Sequence, residues 1–166
     1  MSDVPDPTPR SVPVPSSLLL VDDCADDRIL FRRALRRIDL SPPIEEATDG
    51  EEAIALLRSR LAGPPSELPA LMLLDLKMPR RSGFEVLEWR RTVPLIRRVP
   101  CIVLSSSAEH SDVQRALELG ANSYLRKPVT MEELVWLVRA AMIYWLGFNT
   151  FAPRLHPGPG HAPVRH

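Results

Sequence analysis

Three short, unbroken apolar runs constrain this chain more than any other feature: Leu18-Leu19-Leu20-Val21, Leu71-Met72-Leu73-Leu74 and Cys101-Ile102-Val103-Leu104. Each is followed at once by a polar residue, Asp22, Asp75 and Ser105 respectively. Runs of four are too short for helices, and they do not alternate polar with apolar. They read as strands buried on both faces. Between them lie stretches with helical spacing. Ile29, Leu30, Ala34, Leu35 and Ile38 form one apolar face, with Arg on the other side. Ala53, Ile54, Leu57 and Leu61 form a second, within Glu51–Leu61.

The rest of the body repeats that alternation. Pro42-Pro43 stops the first helix, Ile44–Ala47 is a second strand, and Asp49-Gly50 turns into the second helix. Gly63-Pro64-Pro65 ends that helix. Phe84–Arg91 and Ser111–Leu119 read as helices, the latter stopped by Gly120. Ser123–Arg126 is the last strand, closed by Lys127-Pro128. Thr130–Trp145 is the last and longest helix, opened by a capping box of Thr130 and Glu133. Strands joined through crossover helices run parallel. The spacing therefore predicts a doubly wound α/β domain over residues 17–146, a five-stranded parallel sheet with helices on both faces and an extended last helix.

Both ends differ from this body. Residues 1–16 hold five of the 18 prolines and show no apolar period, so they are expected to be a disordered, Pro-rich tail. Residues 147–166 read as a C-terminal arm and tail. Three of the four histidines (His156, His161, His166) fall there, where composition fixes no metal geometry. With 21 basic and 21 acidic residues the chain has no basic excess, which argues against a nucleic-acid partner. No apolar run approaches the ~18 residues of a membrane span, and no secretory signal is visible. Two cysteines suit a reducing cytoplasm better than a disulfide framework. Cys101 reads as core, and Cys24 as a semi-buried spacer.

In a doubly wound sheet the functional crevice lies at the carboxyl ends of the strands. Those ends carry Asp22-Asp23, Asp75, Ser105 and Lys127. Carboxylates gathered at ~5 Å in an effective dielectric of ~20 repel by about 3 kcal/mol per pair. A fold keeps such a cluster when a cation offsets it. Oxygen ligands without nearby His or Cys suit a hard ion, Mg²⁺ first. A carboxylate beside Mg²⁺, an ammonium and a hydroxyl is a good acceptor for a phosphoryl group, whose transfer needs mainly positioning and charge neutralisation.

The segments LLLVDD, LLDLKMPRRSGFE, VLSSS and SYLRKPV resemble, in order and spacing, the receiver domain of two-component response regulators over residues 18–146. The resemblance implies a flavodoxin-like receiver fold with strand order 2-1-3-4-5. It implies Asp75 as phospho-acceptor, and Asp22, Asp23, Asp75 and the Lys77 backbone carbonyl as the Mg²⁺ site. Ser105 matches the switch hydroxyl, Tyr124 the switch aromatic, and Lys127 the lysine that contacts the phosphoryl group. Lys77 and Ser107 match positions that tune phosphoryl lifetime. A histidine kinase would be the donor, and the chain would catalyse only its own phosphorylation and dephosphorylation. Tyr124 is expected to turn inward into space left by Ser105. The chain departs from the family in Ser82-Gly83, where Asp-Gly is commoner, and in a longer 58–69 linker.

Arg28, Arg32, Arg33, Arg36 and Arg37 cluster on the first helix. A solvated face is the leading reading, then kinase docking by the resemblance, with nucleic acid last. On the last helix Val135, Val138, Ala141, Met142 and Trp145 can cover the sheet. Trp136, Ile143 and Tyr144 then fall on other faces, as on a helix that has a partner. The run AAMIYWLGFNTFAPRL resembles the C-terminus of small stand-alone regulators serving phytochrome-type kinases, and that resemblance implies a homodimer formed by the last helix and arm. The residues after 146 are too few for a DNA-binding output domain, so output is expected through a downstream protein or a phosphotransfer partner. The rival reading is a phosphohydrolase with an aspartyl nucleophile; it wants a second Asp two residues after the first, where this chain has Lys77. A nucleotide or flavin binder would want a Gly-rich loop after the first strand, where this chain has an acidic one.

Overall fold

The computed structural model describes residues 17–40 and 42–148. The expected tails, residues 1–16 and all but the first two residues of 147–166, lie outside the described residues. Five strands, β1 (Leu18–Val21), β2 (Ile44–Ala47), β3 (Leu71–Leu74), β4 (Cys101–Ser105) and β5 (Ser123–Arg126), pair in parallel in the order β2-β1-β3-β4-β5. The helices are α1 (Ala25–Arg37), α2 (Gly50–Leu61), α3 (Gly83–Thr92), the one-turn α4 (Pro94–Arg97), α5 (His110–Glu118) and α6 (Met131–Met142). The doubly wound sheet read from the sequence is the sheet observed.

Period-two geometry divides each apolar run between two cores. Leu19, Val21, Met72, Leu74, Cys101 and Val103 face one side, under α2, α3 and α5. Leu18, Leu20, Leu71, Leu73, Ile102 and Leu104 face the other, under Phe31, Ala34 and Leu35 of α1 and Val138, Ala141 and Met142 of α6. A strand covered on both sides cannot afford a polar position, which is why the runs are unbroken. The edge strands β2 and β5 are the exceptions: β5 carries Ser123 and the exposed Arg126, and in β2 Glu45 and Glu46 are half-buried and pair with Arg60 and with Arg28 and Arg32.

Three local features depart from the expectation. The chain after Met142 continues helically, but residues Ile143–Phe148 form π turns rather than α. The 58–69 linker is no plain loop: it holds a 3-10 turn at Pro65–Glu67, and Leu68 is buried beneath it. Pro94 opens the short α4, which buries Ile96. The expected capping box of Thr130 and Glu133 forms. Asp49, read as a turn residue, is the N-cap of α2, its side chain accepting from the Glu52 amide at 2.9 Å. A second capping box, Ser82 with Glu85, opens α3, so serine fills the place of the commoner aspartate without loss.

At the end of the sheet opposite the strand carboxyl termini, Arg90 is buried without a carboxylate. Its guanidinium donates to the carbonyls of Gly120, Arg97 and Val99, at 2.9, 3.0 and 2.7 Å. Asn122 accepts from both Arg90 and the Cys101 amide. This clamp fixes the starts of β4 and β5, and hence where their far ends emerge.

Candidate functional site

Strand register decides which side chains meet. Val21 pairs with Leu74, and the Asp75 amide donates to the Val21 carbonyl at 2.9 Å. Asp22 and Asp75 therefore leave adjacent strands side by side. On the other flank the Lys127 amide donates to the Ser105 carbonyl at 2.9 Å, which brings the lysine in from β5. These groups cluster where β1 meets β3, the point at which the winding reverses.

Oxygen atoms of Asp22, Asp23 and Asp75 lie within 4.8 Å of one another. Asp22 and Asp75 are buried and Asp23 is exposed, so the cluster opens to solvent on one side. Each buried carboxylate splits its two oxygens. Asp22 Oδ1 accepts from the Cys24 amide at 2.9 Å, and Asp75 Oδ1 from the Leu76 amide at 2.7 Å. The other oxygen of each faces Lys127, whose Nζ is 2.7 Å from Asp22 Oδ2 and 3.0 Å from Asp75 Oδ2. The same ammonium reaches Asp27 Oδ2 at 2.8 Å.

Electrostatics follow from that packing. Burial pushes the Asp22 carboxyl above its ordinary pKa, and hydrogen bonding and attraction from Lys127 only partly offset it. Burial pulls Lys127 down, but its hydrogen bonds to Asp22 and Asp27 outweigh this and hold its pKa above the ordinary lysine value. The lysine is thus a permanent cation among carboxylates that outnumber it. The remaining negative charge, offered by oxygen alone, suits a hard divalent ion.

The loop after Asp75 is held in place by backbone. Gly83 donates to the Leu76 carbonyl at 3.0 Å, and a Cβ there would lie 2.2 Å from the Asp75 carbonyl oxygen. Gly50 donates to the Arg81 carbonyl at 3.0 Å, and a Cβ there would meet that oxygen at 2.5 Å. Arg80 adopts a left-handed φ of 63° and pairs with the buried Asp49. Lys77, in the same loop, has an exposed side chain, and its amide donates to Asp75 Oδ1 at 3.4 Å.

Ser105 is fully buried, and its hydroxyl accepts from the Ser107 amide at 3.4 Å. Ser107 donates to Asp112 at 2.6 Å. Tyr124 is half-buried, and its hydroxyl donates to the Ser107 carbonyl at 2.9 Å, so the ring already lies against the loop after β4. Trp136 on α6, and Ile143 and Tyr144 on the π turns that follow it, are 76 %, 45 % and 58 % exposed.

Sequence reasoning missed Asp27. Read alone, Asp26 and Asp27 are first-turn acids that suit a helix N-terminus. The signal was available: α1 starts at a strand's carboxyl end, so its first turn borders the pocket. The arginine cluster also needs correcting. Arg28 is not on a solvated face; it donates to the Asp22 carbonyl at 2.6 Å and pairs with Glu46 at 3.3 Å. Arg32 pairs with Glu46 as well, at 2.5 Å. Cys24 is exposed rather than semi-buried, because it stands at the N-cap of α1.

Comparison with known proteins agrees with the geometry. Residues 18–139 match the response regulator receiver domain model. The probable methanogenesis regulatory protein FilR2 of Methanothrix harundinacea is 37 % identical over 145 residues, 87 % of this chain and 90 % of that protein. Response regulator Rcp1 of Synechocystis is 33 % identical over 80 % of this chain and 90 % of its own length. A crystal structure of the Mn²⁺-bound form of Rcp1 aligns with a TM-score of 0.73, at 31 % identity over 83 % of this chain and 99 % of that one. The phosphorylated cyanobacterial phytochrome response regulator RcpA aligns with a TM-score of 0.75, at 31 % identity over 82 % and 97 %. A sheet wound in the receiver order, an acidic pocket at its switch point and a family match over most of the chain lead to one conclusion: this chain belongs to the response regulator receiver domain family.

Proposed function

We propose that the chain is a stand-alone response regulator that accepts a phosphoryl group from a histidine kinase onto Asp75, with Mg²⁺ bound by Asp22, Asp23, Asp75 and the Lys77 carbonyl. The observation that carries the reading is Lys127 Nζ at 3.0 Å from Asp75 Oδ2, inside a cluster of three acidic side chains. The bound ion would supply charge neutralisation for the phosphoryl oxygens. Asp75 would attack phosphorus in line; the new O–P bond forms as the P–N bond of the donor phosphohistidine breaks, and the imidazole leaves as a neutral ring after taking up a proton. Lys127 holds its ammonium beside the reacting oxygen throughout.

Phosphorylation adds about −1.5 to −2 charge to the pocket. Ser105 would turn its hydroxyl toward it, a charge-assisted hydrogen bond worth about 1.5–3 kcal/mol. A full two-state switch takes about 5.5 kcal/mol, so repacking of Tyr124 and the Ser107 loop shares the work. Output passes through protein contacts, to a downstream protein or a phosphotransfer partner in the cytoplasm. The exposed Trp136, Ile143 and Tyr144 support pairing with a second copy. The likeness to the cyanobacterial phytochrome response regulator RcpA supports a phytochrome-type kinase as donor.

Incubating the protein with Mg²⁺ and phosphoramidate, then weighing it intact, tests the core of the reading. The wild type is expected to gain one phosphoryl mass, and Asp75→Asn or a chelator to abolish the gain. An unchanged gain in Asp75→Asn would move the acceptor elsewhere.

A further inference from the structure

We infer that Asp27 is a positioning residue of this site: it is the carboxylate that keeps the Lys127 ammonium beside Asp75 when a divalent ion draws on Asp22 and Asp75. The inference rests on the reading of the pocket given above.

An ammonium has three N–H donors and no more. Lys127 directs them at three carboxylates, Asp22, Asp27 and Asp75, at 2.7, 2.8 and 3.0 Å. Two of those three also belong to the oxygen cluster that suits a metal ion. Their other oxygens are occupied by the backbone amides of Cys24 and Leu76. Lys127 and an incoming ion therefore draw on the same two carboxylates, and the two cations repel each other. Asp27 stands outside the competition. It is not a member of the metal cluster, and among the described residues Lys127 is the only hydrogen-bond or ion-pair partner of its carboxylate. When Asp22 and Asp75 turn to an ion, Asp27 is the anchor that remains. Without it the ammonium either stays on Asp22 and Asp75, opposing the ion, or swings into solvent, away from the phosphoryl group.

The neighbouring residue supplies the control. Asp26 lies in the same first turn of α1 and carries the same charge, but it is exposed and does not touch Lys127. A role limited to the helix dipole or to net charge would make Asp26 and Asp27 equivalent. Positioning of Lys127 makes them differ.

The test compares wild type, Asp26→Asn, Asp27→Ala and Asp27→Glu by Mg²⁺ titration calorimetry, by phosphoryl uptake from phosphoramidate at saturating Mg²⁺, and by the ¹⁵N–¹H signal of the Lys127 ammonium. Loss of a partner that orients a site group costs about 10–100-fold. Asp27→Ala is expected to weaken Mg²⁺ binding and slow uptake by about tenfold, and to lose the ammonium signal to solvent exchange. Asp26→Asn should stay within about twofold of wild type in both and keep the signal, and Asp27→Glu should recover much of the loss. A wild type that takes ion and phosphoryl group normally, with Asp27→Ala indistinguishable from Asp26→Asn, overturns this inference alone. A wild type that takes neither overturns the reading of the pocket and this inference with it.

Discussion

Asp22 shows at the scale of one residue how the pocket trades stability for chemistry. Its carboxyl is buried beside Asp75, and its pKa stands above the ordinary value because burial disfavours the charge more than Lys127 restores it. A group whose folded pKa is raised adds stability below its unfolded pKa, about 3.9, and loses that contribution as pH rises through the folded value. At neutral pH without a divalent ion, ionised Asp22 is therefore a net cost. Asp22→Asn removes that cost while leaving Lys127 two carboxylates, Asp27 and Asp75, to hold. The variant should be more stable than wild type at pH 7 by on the order of 1 kcal/mol, with the gap closing as pH falls below the carboxylate range. Saturating Mg²⁺ should stabilise the wild type and leave the variant almost unmoved. Thermal unfolding of both proteins from pH 7 to pH 3.5, with and without Mg²⁺, measures this. A gap that is constant with pH would mean the ionisation of Asp22 is not its source.

At the scale of elements, the joint between β3 and α3 sets the position of Asp75, the proposed acceptor, and Gly83 is its tightest point. A Cβ there would lie 2.2 Å from the Asp75 carbonyl oxygen and 2.8 Å from the Leu76 Cα, both backbone atoms that cannot rotate away. Gly83→Ala should cost about 1–3 kcal/mol, as overpacking does, and should slow phosphoryl uptake because Asp75 moves with its carbonyl. Gly63→Ala meets only the flexible end of Glu67 and should be nearly neutral; urea unfolding of both variants checks the contrast. The elements themselves were legible because apolar runs such as Leu71–Leu74 record burial on two faces, and because caps such as Thr130 and Glu133 are local. What was not legible depended on contacts across the chain. Asp27 meets Lys127 over a separation of 100 residues, and Arg28 turns inward to the Asp22 carbonyl and to Glu46, which β2 places beside it. The π turns after Met142 leave no mark in a pattern that reads equally well as α-helix.

For the molecule as a whole, the sheet is satisfied on both faces and α6 is not. Val138, Ala141 and Met142 are buried against β1, β3 and β4, which accounts for the inner side of the helix. Trp136 remains 76 % exposed, with Ile143 seven residues further on and Tyr144 beside it also open to water. A second copy offers the simplest cover, since a two-fold pairing sets the same stripe against itself. Tryptophan at the centre of such a patch is expected to dominate the energetics, with truncation costing about 2 kcal/mol or more. Trp136→Ala should then weaken dimerisation by about 30-fold. Leu95 is similarly exposed, at 41 %, but sits on α4, whose Ile96 packs into the opposite core. Leu95→Ala should leave association unchanged, although it also removes exposed apolar surface. Sedimentation equilibrium over a micromolar concentration series reads all three proteins directly. A wild-type chain that remains monomeric at high micromolar concentration, with and without phosphoryl donor, would leave this face to a partner of another kind.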